Sequence, residues 1–182
     1  MPPSPPVVVN SPRRFPATVE AELDRRRADL RADLGGDVLD LDRPEARAEV
    51  ARAAAGRPVE RTYGVALSVG QLVRFPDLVA ALRGIDRLVG PDGRLLLVEP
   101  TGRPGLVSLA LQSIWARTPR TRGFHLGRDV TAAVRATTFT LDDIERFTMS
   151  TAVTSLRHAV EVHAVRSAAA VVAPEPRREV TV

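Results

Sequence analysis

Few side chains in this sequence can do chemistry, and their identities narrow what that chemistry can be. There is no cysteine, which excludes disulfides, thiolate metal sites and a cysteine nucleophile. There is no lysine either: all 26 basic residues are arginine. A phosphate loop of the Walker type, which needs its lysine, is therefore excluded. Three histidines remain, His125, His158 and His163. The last two are spaced poorly for one helix face, and no metal site is expected. The other candidates are polar residues closing apolar runs. Asp40 and Asp42 sit in "DVLDLD", Ser68, Gly70 and Gln71 follow one another in "YGVALSVGQ", and Glu99 ends "RLLLVE". Ligands of open α/β sheets bind at such strand ends.

Charge gives little further direction. The net charge is +4, a better guide than the pI of 10.9, because arginine does not titrate in the useful range. Arginines group at Arg13-Arg14, at Arg25-Arg26-Arg27, and at Arg117, Arg120 and Arg122. No aromatic residues interleave with them as a stacking platform for bases, so they read as solvated faces and a nucleic-acid partner is not expected.

These residues must be positioned by the elements around them. The spacing of Val19, Leu23, Leu30 and Leu34 predicts a helix, with Thr18 as its cap and Gly35-Gly36 as its stop. "DVLDLD" predicts a short strand, and Pro44 opens a helix of about residues 45–55. Tyr63–Val69 is apolar on both faces, as buried parallel strands are. Leu78, Leu82, Ile85 and Val89 fall at helical spacing, Pro91-Asp92-Gly93 makes a turn, and residues 94–99 form a third buried strand. Strand, helix and strand make a right-handed βαβ unit. Residues 105–116 read as an apolar helix, "RDVTAAVRA" as another. "FTLDDIERFTMS" and "LRHAVEVHAV" supply two strands paired as an antiparallel hairpin at the sheet edge. The division expected is a Pro-rich arm over residues 1–16, one α/β domain over 17–168 and a loose tail over 169–182. The arm lacks a signal peptide's features and no transmembrane helix is expected, which points to a cytoplasmic chain.

The passage "YGVALSVGQLVRFPDLVAALRGIDRLVGPDGRLLLVEP" resembles the middle of a class I S-adenosylmethionine-dependent methyltransferase, in which strand 4, a helix, a Pro-Gly-type turn and strand 5 ending in Glu-Pro follow one another. "FHLGRDV", "RATTFTLDDIERFTM" and "LRHAVEVHAV" are similar to the C-terminal half of that family's small-molecule branch, the quinone and thiol methyltransferase-like enzymes. The resemblance covers about residues 34–166. It implies a Rossmann-like three-layer α/β sandwich with a reduced sheet, order 1-4-5-7-6 in the family's strand numbers, closed by the antiparallel hairpin.

The front half departs from that pattern. Where the family has a glycine turn that lets the backbone approach the cofactor, this chain has Asp42-Arg43-Pro44. Residues 43–62 hold one helix, with no room for strands 2 and 3. The strand-2 carboxylate that holds the cofactor ribose therefore has no segment to carry it. The resemblance leaves Asp40, Ser68, Gly70 and Gln71 as cofactor-binding candidates, with S-adenosylmethionine as the cofactor if the chain is active and none otherwise. His125, the one histidine in the acceptor-side segment, is the candidate catalytic base. Glu99 either faces the pocket or is structural. The function expected is a methyltransferase-like pseudoenzyme acting as a binding or partner subunit, as a homodimer or with an active methyltransferase, or holding a small apolar ligand. The alternatives are an active methyltransferase on a small apolar acceptor, and arginine-mediated nucleic-acid binding. The loss of strands 2 and 3 also leaves strand 1 as an edge, expected to be covered by the N-terminal arm or a second chain.

Overall fold

The structure is a computed structural model, and it describes residues 15–101, 124–125, 128–151 and 156–167. The apolar segment 105–116, most of the N-terminal arm and the whole of the tail lie outside the described residues.

Five strands form one sheet: β1 (Val38–Asp40), β2 (Tyr63–Val69), β3 (Val89–Thr101), β4 (Phe139–Thr148) and β5 (His158–Arg166). Their order is β1-β2-β3-β5-β4. β1, β2 and β3 are parallel neighbours, and β5 runs antiparallel to both β3 and β4. This is the reduced order expected, in this chain's own strand numbers. β1 and β2 are adjacent and joined by a single helix, α2 (Pro44–Ala54), so no strand intervenes between them. A helix returning over adjacent parallel strands is the ordinary right-handed solution.

Helices cover both faces. α2, α3 (Leu78–Leu88) and α4 (Val130–Arg135) pack on one side, where Val50, Leu82, Ile85 and Val134 meet Leu39, Leu95, Leu97 and Val162. Full burial of a side chain such as Leu82 or Ile85 contributes about 1.5–3 kcal/mol each. Gly84 lets α3 approach α2 closely, since a Cβ there would lie 2.5 Å from the Val50 carbonyl oxygen. On the other side, α1 (Ala17–Ala32) sets Val19 and Leu23 against Val65, Leu67, Val69 and Val98.

Local chemistry explains the helix ends, and in two places the structure corrects the sequence reading. The carboxylates of Asp77 and Asp129 cap α3 and α4, accepting from the Ala80 and Ala132 amides at 2.9 Å. α1 begins at Ala17, with extended Pro16 before it and no side-chain cap, so Thr18 is a helical residue and not the cap. The Pro16 carbonyl accepts from the Val19 and Glu20 amides at 2.9 Å, which already starts the helix. Val89 also leaves its predicted helix: α3 stops at Leu88, and Val89 pairs with Tyr63 as the first residue of β3. The expected turn at Pro91-Asp92-Gly93 is an irregularity inside β3, with Asp92 at φ +60°. β4 carries its own irregularity between Leu141 and Asp143.

Candidate functional site

The C-terminal ends of β1 and β2 bring four sequence-predicted residues together: Asp40, Ser68, Gly70 and Gln71. After β2 the chain turns through Gly70, at φ +68°, into a 3₁₀ turn over Leu72–Arg74. The Gly70 amide donates to the Val98 carbonyl at 2.8 Å, which ties the turn to β3.

Glu99 organises that turn. It is completely buried at the end of β3. Its Oε1 accepts from the Ser68 hydroxyl at 2.6 Å and from the Gln71 and Leu72 amides at 3.1 and 2.9 Å. Its Oε2 accepts from the Val73 amide at 3.4 Å. One carboxyl therefore satisfies the first amides of the turn, as a cap satisfies a helix start. Burial pushes its pKa up to about 7, and the four hydrogen bonds pull the other way. Of the two sequence-level readings of Glu99, its contacts are those of a structural residue.

Arginines from α1 and α2 fill the space beside this turn. The Arg47 guanidinium donates from one nitrogen to the Leu41 and Asp42 carbonyls at 2.7 and 2.8 Å, and to Gln71 Oε1 at 3.3 Å. Gln71 Nε2 donates in turn to Asp42 Oδ1 at 2.8 Å. Arg27 reaches Asp42 at 3.2 Å and the Val69 carbonyl at 3.4 Å. Asp40 is buried, pairs with Arg31 at 2.5 Å, and accepts from the Asp42 amide at 3.0 Å. The loop after β1 is thus latched to α1, to α2 and to the turn after β2.

Aromatic rings close the other side of Gly70. A Cβ on Gly70 would lie 2.8 Å from Phe15 Cε2 and 2.9 Å from Leu23 Cδ1. Phe15 stacks on Phe124 with centroids 4.7 Å apart, and the Arg74 guanidinium lies within 5.4 Å of both ring centroids. Burial lowers the pKa of Arg74, and neighbouring Arg47 adds to the effect.

His125 stands apart from the four residues at the β1 and β2 ends. Its amide donates to the Val73 carbonyl at 2.6 Å, on the far side of the 3₁₀ turn. Its ring lines a crevice with Leu72, Leu78, Pro100 and Arg128 that has no space for a water-sized molecule. Burial, and then the charge of Arg128, hold its pKa below 6.5. His158 and His163 lie on β5, where His163 Nε2 contacts Glu161 Oε1 at 2.9 Å. Among the described residues no group of three His, Asp or Glu side chains could hold a metal ion.

A sheet ordered β1-β2-β3-β5-β4, with β5 alone antiparallel and helices on both faces, decides the fold. This is the class I methyltransferase fold. Solved structures agree. The chain is similar to a SAM-dependent methyltransferase, possible histamine N-methyltransferase, from Thermotoga maritima at 10% identity, with a TM-score of 0.52 over 82% of this chain and 90% of that one. It is similar to the YcgJ protein of Bacillus subtilis at 12% identity, with a TM-score of 0.51 over 64% and 69% of the two chains. Another similar structure, the N-methyltransferase NodS of Bradyrhizobium japonicum with S-adenosyl-L-homocysteine, matches at 11% identity and a TM-score of 0.44, over 60% of this chain. This methyltransferase-fold chain spans about half the length of NodS, 48% in one structure and 54% in another. No protein-family model and no curated protein matches the sequence. Among the described residues, no helix is long and apolar enough to cross a membrane.

The sequence drew attention to Asp40, Ser68, Gly70 and Gln71 because strand ends bind ligands. It held no sign of Phe15, Arg27, Arg31, Arg47 or Arg74, which surround them. The one useful signal was the unusual Asp42-Arg43-Pro44 start of α2, which puts Arg47 one turn into that helix.

Proposed function

We propose that this chain is a methyltransferase-fold protein that has given up the cofactor site and acts by binding, as a partner subunit or as the holder of a small apolar ligand. The observation that carries the reading is Arg47. Its guanidinium is pinned across the loop after β1 and onto Gln71, beside the turn that a cofactor's methionine end would have to approach. Three further features support it. Asp40, Ser68 and Gln71 spend their side chains on Arg31, Glu99 and Asp42. Phe15 packs on Gly70. The direct β1–α2–β2 connection leaves no strand to carry a ribose carboxylate. The residues present do not fit S-adenosylmethionine.

Titration calorimetry with S-adenosylmethionine and S-adenosylhomocysteine tests this. The expected result is no binding tighter than millimolar, because losing two charge-assisted hydrogen bonds costs about 1.5–3 kcal/mol each, and every 1.4 kcal/mol is about tenfold in affinity. A low-micromolar dissociation constant overturns the reading in favour of an active methyltransferase. One observation favours that second reading: burial, and then the charge of Arg128, lower the pKa of His125 and so favour the neutral form that a general base requires.

A further inference from the structure

The far end of the sheet carries a cavity separate from the site at the β1 and β2 ends. β3 and β4 both run antiparallel to β5, so they are parallel to each other, and Thr148 at the end of β4 lies level with Thr101 at the end of β3, each opposite His158. β4 stands three strand spacings from β2, roughly 14 Å. Beside Thr148 lies a cavity of about 570 Å³, within the range of small-molecule sites. α1 contributes Thr18 to its lining, and the hairpin of β4 and β5 contributes Thr148, Ser150, Thr151 and Arg157. The Met149 amide donates to the Arg157 carbonyl at 2.7 Å, which holds Arg157 opposite the end of β4. Met149 and Leu156 are buried in the same cluster as Phe15 and Val19 at the start of α1. Thr18, Thr148, Ser150 and Arg157 thus each adjoin a buried apolar residue, and packing fixes their backbone positions.

The lining has the chemistry of an anion site. Arg157 supplies a guanidinium, whose paired N–H donors match two oxygens of a carboxylate or phosphate. Four hydroxyls add donors that rotate to suit. Among the described residues no carboxylate lines the cavity, so none there opposes a negative charge or competes for the guanidinium. A phosphate ester offers three acceptor oxygens to this many donors, where a carboxylate offers two. Pro16 and Met149 give apolar surface to the rest of a ligand. We infer that this cavity binds the phosphate monoester of a small organic molecule, with Arg157 on the phosphate. The inference goes beyond the proposed loss of the cofactor site and does not depend on it.

The test is an NMR titration of the full chain with phenyl phosphate, with inorganic phosphate and phenol as comparison probes. Arg157 is exposed, so Arg157→Gln leaves the core intact, and Thr148→Val is a second site variant. Arg52→Gln removes the same charge from the exposed last turn of α2. The expected result is saturable shifts at the amides of Thr18, Thr148, Ser150 and Arg157, with a Kd for phenyl phosphate below about 1 mM. Arg157→Gln removes charge-assisted hydrogen bonds and should weaken binding at least about tenfold. Thr148→Val should weaken it less, and Arg52→Gln should leave it unchanged. Inorganic phosphate should bind more weakly, and phenol should move none of these amides. Shifts that do not saturate, affinity unaltered by Arg157→Gln, or equal losses in Arg157→Gln and Arg52→Gln overturn the inference. So does inorganic phosphate or phenol binding as tightly as phenyl phosphate. Calorimetry with S-adenosylmethionine reads the other end of the sheet, so either result can fail without the other.

Discussion

Ser68 and Glu99, on neighbouring strands and 31 residues apart in sequence, share a 2.6 Å hydrogen bond beneath the turn that follows β2. Both are completely buried. This pair holds together the region where the fold would bind a ligand, and it has a pH signature. The pKa of Glu99 is raised from 4.5 to about 7 by burial. Between those values the folded chain keeps a proton that the unfolded chain releases. The contribution of Glu99 is therefore complete below about pH 4.5, falls as pH rises to about 7, and is constant above it. Glu99→Gln should remove that decline, so the stability of the variant relative to the parent should rise between pH 5 and pH 8, by a few kcal/mol at most. Urea unfolding at the two pH values checks this, and a difference independent of pH would contradict it.

Gly70→Ala should destabilise the protein by about 2 kcal/mol, because alanine is strained at φ +68° and its Cβ would press on Phe15 and Leu23. Adding Phe15→Ala should recover the steric part and leave the backbone part. Strict additivity of the two substitutions in denaturant unfolding would show that the ring does not press on the turn.

Arg26 links α1 to the far half of the sheet. It donates to Glu161 at 2.5 Å and to Glu145 at 3.1 Å, and its guanidinium lies 3.8 Å from the centroid of the Phe147 ring. Arg26→Ala leaves the largely buried Glu161 carboxylate without its guanidinium partner, though still beside His163, and should cost about 2 kcal/mol. The double variant with Glu161→Gln should lose less than the sum of the two single variants. A cycle with no coupling would mean that the pair is an incidental surface contact.

Removing the cap of α4 should matter more to local order than removing that of α3. Asp129→Ala and Asp77→Ala each lose one side-chain cap, for about 1 kcal/mol. α4 has six residues against eleven in α3 and carries less stability of its own. Hydrogen exchange should accelerate across residues 130–135 in the first variant, without comparable acceleration across 78–88 in the second.

The His125 imidazole should titrate below pH 6.5, since burial and Arg128 both oppose its charge. Its pKa is lower in the folded chain than in the unfolded one, so its contribution to stability is present above about pH 6.5 and is lost as pH falls through its folded midpoint. An NMR titration reads the midpoint directly, and Arg128→Gln should move it upward. A midpoint above 6.5 in the parent chain would contradict the burial seen at that ring.

Much of the fold is legible in the sequence where the signal is local. The apolar run of β2, the helical spacing of Leu78, Leu82 and Ile85, and the alternation in β5 each name their element. The short span between Asp42 and Tyr63 by itself excludes two further strands. What could not be read depends on distance along the chain. Arg26 meets Glu161 across 135 residues, and nothing in the neighbourhood of either announces the other. Arg47 reads as an exposed position on a polar helix face, and only the placement of α2 turns it onto Leu41, Asp42 and Gln71. Thr18 fails as a cap because the carbonyl of the preceding proline already begins the helix.

The direct passage from β1 through α2 to β2 also bears on the order in which the chain can assemble. β1, α2, β2, α3 and β3 are consecutive in sequence and each strand lies beside the next, so every crossover closes a short loop. Such local pairings form early. β4 has no such neighbour. It is separated from β3 by β5, which follows β4 in sequence and must insert between two strands already made. Residues 38–101 can therefore collapse into a nucleus while synthesis continues, and the sheet of the described residues is completed only when β5 arrives.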